Sequence, residues 1–280
     1  MDPRRILLKV EALKRKSHRL SLDLRLKSLN DAKKFLREHA VVLWNGRSEL
    51  PSLLDAMVGR IAKGRERNNG KAAENCFFWR AQLLEDPEFV ECNFFQKQPT
   101  APRQDLWPAI TVFSRINRRQ AENGLLVSRD ARRILAFVDK EGPTSVDELR
   151  RVLKFSGPSG ARLFSRAKKE LFDKLIVSGD NIRHGKSHRE VIDFWENRIP
   201  KSIRAKADQT SERDAKNYLL SATLSSSIMS NEKKMKGWFG WTNDSLHNAL
   251  ENLLHKKDFR RIRYRQNSWI IPSKVLSLKI

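Results

Sequence analysis

Four polar side chains are spaced so that they share one face of a predicted helix near the middle of the chain. They are Arg162, Ser165, Arg166 and Lys169, separated by three and four residues. Guanidinium and ammonium groups neutralise phosphates, and arginine also hydrogen-bonds to guanine in the major groove. A helix that presents these residues outward is therefore typical of an element that reads nucleic acid.

A basic helix face by itself is more often a solvated surface than a binding site. The composition of the whole chain favours binding here. Its 280 residues include 56 Lys and Arg against 33 Asp and Glu, which gives a formal net charge of +23 and a pI near 10.4. This excess is larger than solubility requires, so we expect a polyanion as the partner.

Two short helices are predicted to precede the basic one. Ser128 is suited to cap the first, and Gly142 followed by proline ends it. Thr144 and Ser145 are suited to cap the second, with Glu148 as the capping-box partner. Three consecutive helices joined by tight turns predict a helix-turn-helix, in which the helix after the turn lies in the major groove.

The third helix is predicted over residues 159–175, after the turn SGPSG. Its expected inward face consists of Leu163, Ala167, Leu171 and Leu175. A β-branched pair then predicts a strand leading into a basic loop over residues 183–189. This loop is expected to be the wing of a winged helix, with Arg183 and Lys186 as phosphate contacts.

A similar pattern recurs near the C-terminus. A helix is predicted from about Ser211, a second around Met235 and Trp238, and a third with a leucine stripe. The segment Phe259–Ile271 alternates apolar and basic residues and predicts a hairpin that turns at residues 266–268. Its basic face consists of Arg261, Arg263 and Arg265. These arginines are expected to bind phosphate, although charge also protects exposed sheet edges from pairing.

The expected fold is therefore mainly α with short β-hairpin wings, in a tandem winged-helix architecture without a large sheet. Three domains are predicted: an N-terminal helical region with a basic arm over residues 1–127, a central winged helix over 128–200 and a C-terminal winged helix over 201–280. Residues 1–28 are interpreted as an amphipathic helix or a mobile arm, and residues 60–73 as an exposed loop. Residues 190–199 are expected to form a helix that ends before Pro200, followed by a polar connector over 201–214.

Large aromatic residues are concentrated between residues 77 and 113. Rings at helical spacing usually form a core, so a compact helical core is the first expectation. A ring stack that receives extruded bases is the alternative.

Several classes of function and location are disfavoured. The N-terminus lacks the apolar core of a signal peptide and the chain lacks a long apolar span, so a cytoplasmic, nucleoid-associated protein without membrane contact is expected. Cys76 and Cys92 fit neither a disulfide framework nor a zinc site. His184 and His188 lie in a polar loop and are interpreted as wing residues. No metal and no cofactor is expected, and the oligomeric state stays open.

Several stretches resemble bacterial winged-helix proteins related to the AlkZ-type DNA glycosylases. They are LNDAKKFLREHAVVLWNGRSELPSLLDAMVGR, FWRAQLL, SRDARRILAFVDKEGPTSVDELRRVLKF, VIDFWENRIP and FGWTNDSLHNALENLLHKKDFRRI. The resemblance implies tandem winged helices that form a concave, basic, duplex-binding surface. Characterised repair members carry a Gln-x-Gln or Gln-x-Asp motif in an N-terminal helical domain. Here Gln96-Lys97-Gln98 lies in the middle block instead, so we interpret this match as chance, and the catalytic residues stay unknown.

Three functions remain open. The first is a non-catalytic protein that binds double-stranded DNA, with a role in DNA repair. The second is a monofunctional, metal-free glycosylase that removes alkylated or crosslinked bases. The third is an RNA-binding protein. Glu49, Asp55, Glu85 and Asp86 could each supply a general base to a glycosylase, although each is more simply explained as a helix cap or a loop charge.

Overall fold

The computed structural model describes residues 2–184 and 187–278, without the side chains of residues 180–189. The first half contains α1 Pro3–Ser17, α2 Leu29–Glu38, β1 Val41–Leu43, α3 Leu53–Val58, α4 Gly64–Asn68, α5 Lys71–Leu84, β2 Cys92–Phe95, β3 Gln98–Pro102 and α6 Trp107–Glu122. The second half contains α7 Arg129–Glu141, β4 Thr144–Ser145, α8 Val146–Val152, α9 Gly157–Asp173, β5 Val177–His184, β6 Ser187–Phe194, α10 Lys201–Asp208, α11 Glu212–Ser227, β7 Ser230–Asn231, α12 Asn243–His255, β8 Phe259–Tyr264, β9 Asn267–Pro272 and α13 Ser273–Leu276. The fold is mainly helical, as expected.

The strands of the described residues form small antiparallel sheets. In one, β1 pairs with β3, with Val41 opposite Pro102. A second has the order β4, β6, β5, and a third has the order β7, β9, β8. No described strand belongs to a large sheet, which agrees with the expectation from the sequence.

The chain divides into two compact units. The first combines Met1–Val90, Gln98–Leu106 and Lys216–Ile280, and the second combines Glu91–Lys97 and Trp107–Ala215. Each unit therefore brings together segments that are distant in sequence. The three consecutive domains expected from the sequence stay a prediction.

In the first unit, α1 is a packed helix. Asp2 caps it and Pro3 occupies its first turn, where a missing N–H costs no hydrogen bond. Val10 is buried in a cluster with Ile228 and Ile271. Of the two interpretations of residues 1–28, the structure supports the amphipathic helix.

The core of the second unit is built from α7, α8, α9 and the sheet behind them. Its fully buried side chains include Ile134, Leu149, Leu171 and Ile192. The predicted N-caps are confirmed: Ser128 accepts a hydrogen bond from the Ala131 amide at 3.3 Å, and Ser145 accepts one from the Glu148 amide at 3.2 Å. The reciprocal bond of a capping box, from the Ser145 amide to the Glu148 side chain, stays a prediction. Gly142 ends α7 with a φ of 80°. These local signals were readable from sequence because each depends on neighbouring residues alone.

The same order of elements occurs twice. In the second unit the order is α7, β4, α8, α9, β5, β6, and in the first unit most of α11 is followed by β7, a short 3-10 helix over Glu232–Gly237, α12, β8 and β9. In both sheets the last strand lies between the other two. The recurrence predicted from the sequence is therefore present at the level of element order.

Helix α9 corrects the expected inward face. Phe164 is buried, whereas Leu163 is 45% exposed. The helix also ends at Asp173, and Leu175 lies beyond it with a positive φ of 59°. The helical phase is set by Phe164, whose ring packs edge to face against Phe155 at 5.4 Å between centroids.

Three further expectations from local sequence were wrong. Residues 191–194 belong to strand β6 because they pair with β5, and only Trp195–Arg198 forms a short 3-10 helix. The expected polar connector contains α10 and the start of α11. The expected loop over residues 60–73 contains α4, in which Arg67 is buried.

Candidate nucleic-acid interface

Helix α9 presents the four side chains predicted to contact nucleic acid. Arg162, Ser165, Arg166 and Lys169 are all exposed, while Phe164, Ala167 and Leu171 form the buried face. Residues three and four apart are neighbours on a helix, so the four polar side chains form one outward stripe. The stripe spans about 10 Å along the helix axis.

The two arginines of this stripe differ from the lysine in their electrostatic surroundings. Lys169 donates to the Asp173 carboxylate at 2.5 Å, and Asp173 also accepts a hydrogen bond from the Asn93 amide at 3.1 Å. Arg162 and Arg166 take part in no ion pair within the described part of the chain. Their guanidinium groups therefore have donors available for an external anion.

The loop before α9 fixes where the helix starts. Pro158 occupies the first turn, and Gly160 lies so close to Phe155 that a Cβ at this position would be 2.6 Å from the backbone carbon of Phe155. A glycine is required here because the helix and the preceding loop approach at van der Waals distance. The SGPSG segment was expected to be a turn before a helix that starts at residue 159, but Ser156 is the N-cap and residues 157–160 form the first turn of α9.

The hairpin formed by β5 and β6 corrects the expected basic loop. The strands continue to His184 and resume at Ser187, and Arg183 is paired in register with His188. Arg183 is therefore on a strand instead of in a loop, and Lys186 lies outside the described residues. One basic side chain that the sequence analysis missed, Lys168 of α9, donates to Glu190 of β6 at 2.6 Å.

The three arginines of the hairpin formed by β8 and β9 differ in their surroundings. Arg261 donates to Glu232 at 2.8 Å and to Glu251 at 2.6 Å. Burial acts to lower the pKa of Arg261, but these two carboxylates outweigh it and hold that pKa above its usual value. Arg261 thereby joins the hairpin to the 3-10 helix and to α12.

The other two arginines face solvent. Arg263 is exposed on β8, and Arg265 is at the turn with a φ of 52° and its guanidinium carbon 5.4 Å from the centroid of the Tyr264 ring. The turn consists of residues 265 and 266, one position earlier than expected. Arg260 is also exposed, on the opposite side of the strand, and the predicted basic face did not include it.

Two of the four acidic residues considered as general bases, Asp55 and Asp86, form ion pairs within the first unit. Asp55 forms a buried ion pair with Arg67 and accepts the Ala62 amide at 2.9 Å, although burial raises the pKa of Asp55. Asp86 pairs with Lys33 at 2.7 Å, a hydrogen bond that lowers the pKa of Asp86.

Glu49 and Glu85 differ from that pair. One oxygen of Glu49 accepts the Asn231 amide at 3.2 Å, while its other oxygen is buried without a hydrogen bond. Glu85 is exposed at the end of α5. The catalytic residues of a glycosylase therefore stay unassigned.

The Gln96-Lys97-Gln98 segment lies outside any helix. Gln96 and Lys97 form a turn and have positive φ values of 50° and 54°, and Gln98 begins β3. The repair members' motif is placed in an N-terminal helical domain, so this setting gives no support to a shared catalytic role. Among the described residues, no cluster of His, Cys, Asp or Glu could hold a metal ion.

Helix α9 and the hairpin of β8 and β9 each present exposed basic side chains. A family model for AlkZ-related proteins matches residues 26–240. The chain therefore belongs to the AlkZ-related family. This membership supports a DNA-repair-related, glycosylase-like role and interaction with DNA.

The remaining comparisons add little. No curated protein and no solved structure matched the chain. Within the described ranges, no helix is long and apolar enough to cross a bilayer.

Proposed function

We propose that the chain binds double-stranded DNA through two winged helices and acts in DNA repair. The first would comprise α7 to β6 and the second α11 to β9. The observation that carries the proposal is the exposed pair Arg162 and Arg166 on α9, whose guanidinium groups have no carboxylate partner in the described residues. Family membership supports DNA as the polyanion.

In this proposal the two winged helices have different tasks. Helix α9 enters the major groove, where Arg162, Ser165 and Arg166 reach phosphates and base edges. Lys169 assists from the same face while it remains paired with Asp173. The exposed arginines of the C-terminal hairpin, Arg263 and Arg265, contact the backbone and add affinity without sequence preference.

The salt dependence of binding tests the electrostatic part of the proposal. Because phosphate neutralisation releases counterions, roughly six or more contacts should weaken duplex binding about a thousandfold between low and physiological salt. Fluorescence anisotropy with a labelled duplex measures this. Affinity that does not change with salt would contradict the proposal.

A double variant tests the position of the interface. Arg162→Ala with Arg166→Ala should weaken duplex binding, reduce the salt slope by about 2 and relax any sequence preference. A charge-matched control is Lys201→Ala with Lys206→Ala, two exposed lysines of α10. If the two double variants have the same affinity for duplex DNA, the loss is caused by the lower net charge, and α9 is not the helix that contacts the bases.

The second candidate function, supported by family membership, is hydrolysis of an N-glycosidic bond that releases an alkylated or crosslinked base. Incubation with DNA carrying alkylated purines or an interstrand crosslink, followed by heat or alkali, reveals abasic sites as strand breaks. Breaks above those in undamaged DNA, lost in the Arg162/Arg166 double variant, would establish the enzyme. Their absence would leave the binding function alone, and stronger competition by structured RNA than by duplex DNA would favour the RNA alternative.

A further inference from the structure

Helix α5 carries two adjacent phenylalanines that do not enter the core. Phe77 and Phe78 are 48% and 53% exposed. The helix packs through Cys76 and Leu83, which are seven residues apart and share one face. Phe77 and Phe78 follow Cys76 by about 100° and 200° around the helix, so their rings are directed away from that face.

The two rings form a small ordered surface. Their centroids are 6.1 Å apart and their planes are inclined at 71°, an edge-to-face arrangement. About half of each side chain is exposed, and contact with an aromatic ring is favoured when the partner is another flat π system. A phenylalanine side chain has about 200 Å² of surface, and each of the two is about half exposed. Together they therefore present roughly 200 Å² of apolar surface. A stable protein interface buries about 800 Å² per partner, so the patch fits a single flat group better than a protein.

The segment of chain that contains the two phenylalanines is basic, which suits a nucleic-acid backbone. Residues 60–84 contain six basic and two acidic residues. Without the ion pairs of Arg60 with Glu66 and of Arg67 with Asp55, four basic residues and one acidic residue remain, a net charge of +3. Lys63, Arg65 and Lys71 are exposed and take part in no ion pair within the described part of the chain. Lys71 is seven residues before Phe78, so it lies on the same side of α5, about 10 Å along the axis. Glu74 is the one acidic residue of this helix.

We propose that Phe77 and Phe78 stack an unpaired nucleobase, while the basic residues before them hold the adjoining phosphates. The site is suited to single-stranded or locally unpaired nucleic acid, because every base has a π face and stacking is tolerant of sequence. The inference rests on the proposed nucleic-acid binding and extends it, since paired bases inside a duplex offer no free face. The duplex contacts of α9 are made by different residues.

A pair of probes tests the stacking site. A labelled oligothymidylate and a fully paired duplex of equal length are titrated at the same low salt concentration, at which phosphate contacts to both probes are retained. Phe77→Ala with Phe78→Ala should weaken oligothymidylate binding about tenfold or more and change duplex binding less than twofold. Phe77→Tyr with Phe78→Tyr should keep the affinity, because it keeps the rings.

Two controls separate stacking from a general loss of apolar surface or of folding. Leu8→Ala with Leu22→Ala removes two other exposed apolar side chains, 63% and 66% exposed, and should leave both affinities unchanged. Phe78→Trp places a fluorophore at the site, and oligothymidylate should quench it at the concentrations at which it binds. This second readout uses a folded, aromatic variant.

Several results would overturn the inference. The first is that wild-type protein does not bind oligothymidylate, and the second is that the alanine double variant binds it as tightly as wild type does. The third is that the alanine double variant loses the same affinity for both probes. The fourth is that the added fluorescence of the Phe78→Trp variant does not respond to the oligonucleotide. Wild-type protein that fails to bind duplex but binds oligothymidylate through the two rings would instead count against the proposed function alone.

Discussion

The Nε2 atom of His18 lies 2.9 Å from the carbonyl oxygen of Ser226, a buried contact in which the imidazole donates. The His39 ring stands edge to face against His18 at 5.8 Å between centroids, and its Nε2 atom donates to the Ser17 carbonyl at 3.2 Å. Two neutral imidazoles thus connect the end of α1 with the end of α2 and with α11 inside the first unit.

This pair predicts that the protein loses stability in mild acid. Burial, followed by the nearby Lys14, lowers the pKa of His18 from 6.5 to about 3, and burial lowers the pKa of His39 to about 4. Because the folded-state pKa values are depressed, the two neutral histidines contribute fully to the free energy of unfolding above pH 6.5. This contribution is lost as the pH falls toward 4 and 3. With two such groups, the free energy of unfolding should change with pH by up to about 2.7 kcal/mol per pH unit.

Urea unfolding at a series of pH values measures this slope. His18→Gln removes one of the two titrating groups while its side-chain amide can still donate, so its slope should be about half that of wild type. Asn248→Gln, a change at an exposed position without a titratable group, should leave the slope unchanged. An unaltered slope in His18→Gln would show that other groups cause the acid sensitivity.

The buried ion pair of Arg67 and Asp55 predicts a large difference between two arginine substitutions. Arg67→Met would leave the Asp55 carboxylate buried without its partner and should lower the free energy of unfolding by about 3–5 kcal/mol. Arg60→Met removes an arginine that is 57% exposed and pairs with Glu66, and should cost less than about 1 kcal/mol. Equal effects in urea unfolding would indicate that solvent reaches the Asp55 site.

We expect substitution of Arg261 to affect mainly stability, and substitution of Arg263 and Arg265 to affect mainly DNA binding. Arg261→Ala breaks hydrogen bonds to Glu232 and Glu251 and should lower the free energy of unfolding by about 1.5–3 kcal/mol. Arg263→Ala with Arg265→Ala should change stability by about 0.5 kcal/mol or less and reduce the salt slope of duplex binding by about 2. Calorimetry and anisotropy together measure both quantities. Reversed results would mean that Arg261 is the phosphate contact.

Gly160 should be intolerant of any side chain. The Cβ of Gly160→Ala would meet the Phe155 backbone at 2.6 Å, and such overpacking costs about 1–3 kcal/mol. Gly237→Ala is the matched control, because a Cβ there would meet no atom within 4 Å. Since Gly160 sets the approach of α9, we also expect weaker duplex binding. A Gly160→Ala protein with wild-type melting temperature would show that the loop relaxes without cost.

The sequence by itself determined the features that depend on neighbouring residues. The caps at Ser128 and Ser145, the end of α7 at Gly142 and the outward stripe of α9 follow from residue type and helical spacing. The mainly helical class and the repeated element order followed from the same local patterns. Family resemblance added the link to AlkZ-related proteins.

Tertiary structure decided what local patterns leave open. Residues 191–194 are a strand because β5 offers hydrogen-bond partners. Arg67 is buried because Asp55, twelve residues earlier, supplies the opposite charge. Arg261 serves the hairpin's packing because two carboxylates from other elements meet it there. Phe77 and Phe78 are exposed because the core requires only the opposite face of α5. The role of a charged or aromatic side chain depends on the groups that the fold places next to it. Sequence spacing alone does not predict the distances between residues that are far apart in the chain.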